Sequence, residues 1–253
     1  MRVSGSFPKL LSAAVLSTLV APGLGAADER KDRPLIVTSS QALVVVSTPV
    51  PAELEPRIEA WKGAPSWQKL AFCRELLPLL READPCRTRD YEWKAGTHDL
   101  RLAAGRAAWV LERMLDVTLP QVRPDSQAAE LDVVAEAAAA AFADYRARAI
   151  AEAESASAKG GRTVEELTKT YRGRIQPDLR AQAGASSAMM ARLLNEWFPI
   201  GRGIAELETI VGAAGKIDER GVTYRFDNGL SGSVFLFVVQ DGVIEAVSVW
   251  TLE

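Results

Sequence analysis

Histidine and cysteine are scarce in this chain, which has one histidine and two cysteines among 253 residues. A structural zinc site needs four nitrogen or sulfur ligands, so these three residues leave it one ligand short. The two cysteines, Cys73 and Cys86, also lack the close spacing of a zinc-binding pair. No string of carboxylates has the pattern of a calcium-binding loop. The sequence therefore predicts no metal site and no cofactor.

Complete catalytic sets are lacking as well. Any histidine-dependent triad must use His98, which stands at an expected helix start and is interpreted as a surface residue. The run Ser66-Trp67-Gln68-Lys69 matches the S-x-x-K motif of penicillin-recognising enzymes, but neither partner motif of those enzymes occurs. Ser66 follows Pro65 and is interpreted as a helix N-cap. The sequence favours a non-catalytic protein; the alternative is a hydrolase or sugar-handling enzyme that uses His98 or paired carboxylates.

The glycine-rich segment 197–216, WFPIGRGIAELETIVGAAGK, matches no phosphate-binding loop. Glu206 stands where a dinucleotide-binding loop needs its third glycine, and Ile217 stands where a P-loop needs serine or threonine. The glycines are therefore interpreted as a tight turn before a short helix and, at Gly212, as the exit from that helix.

The charge balance excludes two classes of partner. The chain has 30 basic and 33 acidic residues, a net charge of −3, and the basic residues form no cluster. Nucleic acids and anionic membranes attract basic surfaces. Neither is predicted as a partner.

The N-terminal segment has the parts of a secretory signal peptide. Arg2 and Lys9 precede an apolar run from Leu10 to Val20, and small residues follow as far as Ala27. The apolar run is too short for a stable membrane span, and no cysteine follows it for lipid attachment. We expect cleavage of residues 1–27, no membrane insertion of the mature chain, and a periplasmic or extracellular location.

Export affects the expected oxidation state of the two cysteines, which are separated by twelve residues. Asp84-Pro85 between them lets the chain turn back, so an oxidising compartment favours a disulfide between Cys73 and Cys86. Closing so short a loop would contribute about 3 kcal/mol. The alternative is a buried Cys73 thiol beside Phe72.

Hydrophobic periodicity divides the mature chain into three parts. Residues 28–50 are expected to be extended or disordered, although LIVTSSQALVVVSTPVP contains two β-rich runs that could form edge strands. Residues 51–198 follow helical periods and are predicted to form a helical domain. Residues 199–253 are predicted to form a small α+β domain. The predicted fold class is therefore α+β.

Two apolar stripes organise the helical part. The first belongs to a helix with Thr97 as N-cap and contains Leu100, Ala103 or Ala104, Ala107, Leu111, and Met114 or Leu115. The second lies on a helix between Asp125 and Lys159 and contains Leu131, Ala135, Ala138, Phe142, Tyr145 and Ala149. Gly160-Gly161 ends this helix, and Thr163 to Glu166 form a capping box for a return arm that Pro177 kinks or splits. The pattern predicts a long antiparallel helical hairpin.

The last fifty residues change to strand periodicity. A short helix, AELETIV, precedes three predicted antiparallel strands, VTYRFD, SVFLFVVQ and VIEAVSVWTL, the last two joined by a tight turn at Asp241-Gly242. In the middle strand apolar side chains point to both faces, so both faces need cover. One short helix covers one face only. The other face is expected to contact the helices, a second copy or a protein partner, and the predicted contact residues are Leu236, Val238, Phe235 and Phe237.

One pattern in this segment is typical of a known family. Phe198-Pro199-Ile200-Gly201 precedes the short helix, whose apolar residues lead to Gly212, and a tyrosine-bearing strand and two more strands follow. Residues 198–253 thereby resemble the module of the SmpA/OmlA (BamE-like) outer-membrane assembly lipoproteins, and this resemblance implies a small domain used for protein contacts. The chain departs from the family in Ala214, where proline is usual, in having one helix rather than two, and in lacking a lipidated cysteine. The resulting hypothesis is an exported, non-catalytic scaffold or interaction protein of the bacterial cell envelope that binds a protein partner or self-associates.

Overall fold

Helices followed by an antiparallel sheet make up the described part of the chain. The computed structural model describes residues 45, 51–82, 94–95, 98–177, 179–213, 216–218 and 221–252. Within these ranges the helices are α1 Pro51–Lys62, α2 Ser66–Leu76, α3 Ala103–Leu115, α4 Ala128–Ala158, α5 Val164–Tyr171, α6 Ala183–Glu196 and α7 Ile204–Val211. The strands are β1 Lys94–Ala95, β2 His98–Asp99, β3 Lys216–Asp218, β4 Gly221–Asp227, β5 Gly232–Gln240 and β6 Val243–Leu252. The α+β fold class is confirmed.

The C-terminal sheet is an antiparallel meander in the order β3-β4-β5-β6. Strands β4, β5 and β6 are the three that the sequence predicted. The turn between β5 and β6 is also confirmed, because Asp241 and Gly242 both have positive φ angles, 52° and 79°, as a two-residue hairpin turn requires. Strand β3 is additional, and its three residues are too few to show an alternating pattern.

Buried apolar side chains form two clusters, and α2 contributes to both. The first cluster joins α1, α3 and the N-terminal half of α4, and it receives Phe72, Cys73 and Leu76 from α2. The second joins α5, α6, α7 and one face of the sheet, and it receives Trp67 and Leu70. The second cluster therefore crosses the predicted domain boundary between residues 198 and 199.

Helix α4 buries most of its predicted apolar stripe, but the elements that cover the stripe are not the predicted return arm of the hairpin. It has 31 residues and is about 46 Å long at 1.5 Å per residue. Of the stripe, Leu131, Ala135, Ala138 and Ala149 are buried, and Phe142 and Tyr145 are partly buried. Helix α4 ends at Ala158, before Gly160-Gly161, as predicted. The eight-residue α5 packs mainly against α7, while α4 packs against α2, α3 and the 3-10 segment Leu77–Arg81.

Two predicted helix starts are wrong, and one is confirmed. Ser66 is the first residue of α2, and Pro65 takes the N-cap position without a side-chain hydrogen bond. Helix α3 begins at Ala103 rather than after Thr97, because His98 and Asp99 belong to β2, which pairs with β1. Thr163 and Glu166 form the predicted capping box of α5. The α3 stripe is buried as expected.

Some predictions concern residues outside the described ranges. These are the signal peptide 1–27, most of the segment 28–50, Thr97 and Cys86. Val45 alone is described between residues 28 and 50, and it is helical and buried in the first cluster rather than part of an edge strand. Among the described helices none is long and apolar enough to cross a membrane.

Candidate functional site

The four predicted contact residues lie on opposite faces of β5. Phe235 and Phe237 are fully buried on the inner face, which packs against α6 and belongs to the second core cluster. Their rings make edge-to-face contacts with Phe226 and Tyr224, at centroid distances of 5.7 and 5.8 Å. These two phenylalanines are core residues and are not accessible to a partner. Leu236 and Val238 lie on the opposite face.

The outer face of the sheet carries five apolar side chains that are each only partly buried. We define it by Val234, Leu236, Val238, Trp250 and Leu252. The sequence prediction missed the last two because it did not fix the register of β6. Counted back from the turn, Val234 would pair with Val249, but a bulge at Val238/Val239 shifts the pairing by one residue, so Val234 pairs with Trp250.

Helix α2 covers part of the outer face along β6. It packs against β6, and its Glu75 side chain accepts a hydrogen bond from Ser248, which shares the outer face. Helix α4 also reaches this strand, where Arg146 donates to Glu245 at 2.5 Å. Leu236 of β5 pairs directly with Ser248, and the side chains of Val234, Leu236 and Val238 still keep part of their surface exposed.

Burial raises the pKa of Glu75 to about 7, and the hydrogen bond from Ser248 and the charge of Arg74 oppose this only in part. The unfolded-state pKa is lower, near 4.5. The folded state therefore binds this proton more tightly than the unfolded state does. The resulting contribution to the free energy of unfolding is complete below pH 4.5, and it is lost as the pH rises through 7. The contact between α2 and β6 is thus pH-sensitive.

Glu75→Gln is expected to remove this contribution to the pH dependence of stability. At pH 8 the variant should be more stable than the parent by roughly 1 kcal/mol, since solvent weakens the effect at a partly exposed side chain. Chemical denaturation at pH 5, 6.5 and 8 measures the difference between the two proteins. Glu136→Gln on the exposed side of α4 serves as the control. A stability difference between Glu75→Gln and the parent that does not change with pH would contradict the prediction.

His98 is buried, and its prediction as a surface residue is wrong. Its Nδ1 accepts a hydrogen bond from the Val122 amide at 3.2 Å, and its Nε2 lies 3.2 Å from Oε1 of Glu112. The same Glu112 oxygen accepts from the Leu119 amide at 2.8 Å. His98 lines none of the main cavities in the described chain. The imidazole therefore holds the Val122 amide to β2, and Glu112 holds the Leu119 amide to α3.

Cys73 is a free thiol and is fully buried. Burial raises its pKa to about 12, so it stays protonated and unreactive at neutral pH. Cys86 lies outside the described residues, and the structure does not support the predicted disulfide. Among the residues that the structure describes, no group of three or more histidine, cysteine, aspartate or glutamate side chains could hold a metal ion.

Comparisons with known proteins give no further assignment. No protein-family model, curated protein or solved structure matches this chain. The resemblance of residues 198–253 to the SmpA/OmlA module stays a prediction from the sequence.

Proposed function

We propose that this chain is an exported, non-catalytic interaction protein of the bacterial cell envelope, and that the outer face of its sheet contacts a protein partner. The observation that carries this proposal is the apolar outer face, whose five side chains keep part of their surface in water while the inner face is buried in the core. Contiguous apolar patches of this kind are uncommon on soluble monomers and mark contact surfaces. The signal-peptide pattern supports the location, and the family resemblance supports a role in protein contacts.

The composition of the outer face and its border also favours a protein interface. Trp250 belongs to a residue type that contributes strongly to binding energy at interface centres. Polar residues border the apolar group on β4, where Thr223 pairs with Leu236 and Arg225 pairs with Val234. The Arg225 side chain is held by Asp227 at 2.6 Å. An apolar centre with a polar rim is the usual anatomy of a protein interface.

Leu236→Asp should leave the chain folded and abolish its association. The side chain is partly exposed, so the carboxylate can reach water and the fold loses little, whereas a partner would have to bury the new charge at a cost of several kcal/mol. Circular dichroism and thermal melting test the fold. Size-exclusion chromatography tests self-association, and affinity capture from periplasmic extract tests binding to other proteins.

Leu230→Asp provides a matched control, since Leu230 lies between β4 and β5 and is 88% exposed. This variant should retain both the fold and every association of the parent. A folded Leu236→Asp variant that keeps all associations would show that the outer face is not the contact surface. An unfolded Leu236→Asp variant would assign that face to the core.

A further inference from the structure

The C-terminal sheet has two edge strands, and the start of one of them is already paired. Strand β6 lies at that edge, where the Ile244 amide donates to the Arg202 carbonyl at 2.8 Å and the Gly201 amide donates to the Ile244 carbonyl at 2.9 Å. Strand β3 lies at the other edge, and no described strand pairs with its outer side. An edge strand presents amides and carbonyls that can pair with a strand of another chain. The β3 edge is therefore the open side of the sheet.

The backbone groups that point out of this edge belong to Ile217. Along an antiparallel pair, residues that exchange hydrogen bonds alternate with residues that do not. Asp218 pairs with Gly221 across only two intervening residues, so these two exchange hydrogen bonds, and the next such pair is Lys216 with Thr223. Ile217 lies between Lys216 and Asp218. Its amide and carbonyl therefore point away from β4 and toward the open edge.

The other side of β4 gives the same alternation. The Asn228 amide donates to the Ser231 carbonyl at 3.1 Å, just beyond the last paired residues of β4 and β5. The even-numbered residues from Val222 to Asn228 thus bond toward β5. The odd-numbered residues Gly221 and Thr223 then bond toward β3, which agrees with the pairing of β3.

Ile217 also presents an exposed apolar side chain at this edge. Isoleucine is among the residue types most often buried, but Ile217 is 70% exposed. It pairs with Val222, so it lies on the inner face of the sheet, at the border of the second core cluster. An exposed apolar residue on an open edge strand favours pairing with another strand, which would shield this side chain from water.

We propose that two copies of this chain associate through β3, with the two strands antiparallel and centred on Ile217. Each Ile217 amide would donate to the Ile217 carbonyl of the other copy, and the two four-stranded sheets would become continuous. In this register Lys216 of each copy stands opposite Asp218 of the other. Two-fold symmetry repeats this pair, so the contact contains two pairs of opposite charge. Opposite charges directly across a strand pair stabilise it.

The charge order of β3 favours a second copy as the partner. The sequence Lys-Ile-Asp is complementary in charge to itself when two copies run antiparallel. A contact of three residues on each side is small, so the dimer is weak and forms only at high concentration. It is separate from the outer-face contact, because Leu236 lies on β5, two strands away. A dimer this weak dissociates on a size-exclusion column and does not affect the chromatographic test of Leu236→Asp.

Sedimentation velocity of the mature chain over a hundredfold range of concentration tests the pairing. The parent should show a reversible monomer–dimer equilibrium at the upper end of the range, and Leu236→Asp should show the same one. Hydrogen–deuterium exchange of the Ile217 amide should slow as the concentration rises, because only the dimer gives this amide an acceptor. Protection of the amide at every concentration, a parent that stays monomeric, or loss of the dimer in a folded Leu236→Asp variant would overturn the proposal.

Charge reversal on β3 tests the register. Lys216→Asp and Asp218→Lys each place like charges opposite one another and should weaken the dimer by about tenfold or more. A mixture of these two variants restores opposite charges in the mixed dimer and should associate like the parent. The double variant Lys216→Asp/Asp218→Lys is the matched control, since it keeps opposite charges and should also associate like the parent. Undiminished association of either single variant, or a monomeric mixture or double variant, would overturn the proposed pairing.

Discussion

Gly105→Ala is expected to destabilise the protein by about 3 kcal/mol, the opposite of the usual effect of this change inside a helix. Alanine normally stabilises a helix interior over glycine by up to about 1 kcal/mol. Here a Cβ at Gly105 would lie 1.9 Å from the carbonyl oxygen of Asp99 and 2.8 Å from its carbonyl carbon. Helix α3 and strand β2 therefore touch through their backbones, and a methyl group must separate them.

The Asp99 backbone is held in place and cannot move aside at low cost. Its amide donates to the Val122 carbonyl at 2.8 Å, and the Val122 amide donates back to His98 at 3.2 Å. Thermal melting should show a decrease of roughly 6–12 °C for a chain of this size. Gly184→Ala in α6 is the matched control, because no atom lies within 4 Å of its added Cβ, and it should leave the stability equal or higher. An unchanged melting temperature for Gly105→Ala would mean that α3 and β2 are not in contact.

The C-terminal module could be predicted from the sequence because local signals determine it. Alternating apolar residues mark β4, an apolar-rich run marks β6, and Asp241-Gly242 fixes the hairpin. The Gly212 turn is also local, and φ at this residue is positive, 111°. The Tyr224 hydroxyl then donates to the Gly212 carbonyl at 2.9 Å and ties the end of α7 to the sheet.

The helical part was harder to predict because its packing depends on distant residues. A stripe such as that of α4 shows that one face is buried but does not identify the element that covers it. His98 illustrates the same limit, since its partners Glu112 and Val122 follow it by 14 and 24 residues. Gly105 also gives no local sign that a backbone lies against it. These contacts are set by the tertiary fold.

The candidate contact surface could be predicted in part. Alternation separated Leu236 and Val238 from Phe235 and Phe237, but it did not indicate which pair faces the core. That depends on where α6 packs. The contribution of Trp250 depends on the bulge between β5 and β6, which leaves no clear mark in the sequence.

Phe235→Ala is expected to cost about 3–5 kcal/mol, whereas Leu236→Ala, at the next residue, should cost about 1 kcal/mol or less. Phe235 is 0% exposed and packs edge-to-face against Phe226, so its truncation leaves a cavity between the sheet and the helices. Leu236 points the other way and already contacts water, so its truncation leaves no closed cavity. Both residues lie in the same strand and share its hydrogen bonding, which makes each the control for the other.

Urea denaturation of the two variants and the parent measures the difference directly, provided that the slopes of the transitions agree. A large loss of stability in Phe235→Ala and a small loss in Leu236→Ala would show that the inner face contributes most of the packing free energy. The outer face would then be available for a partner. Equal and large costs would contradict the prediction. They would mean that the outer face is as deeply buried as the inner one, so that the sheet contributes to the core on both sides and the proposed partner surface does not exist.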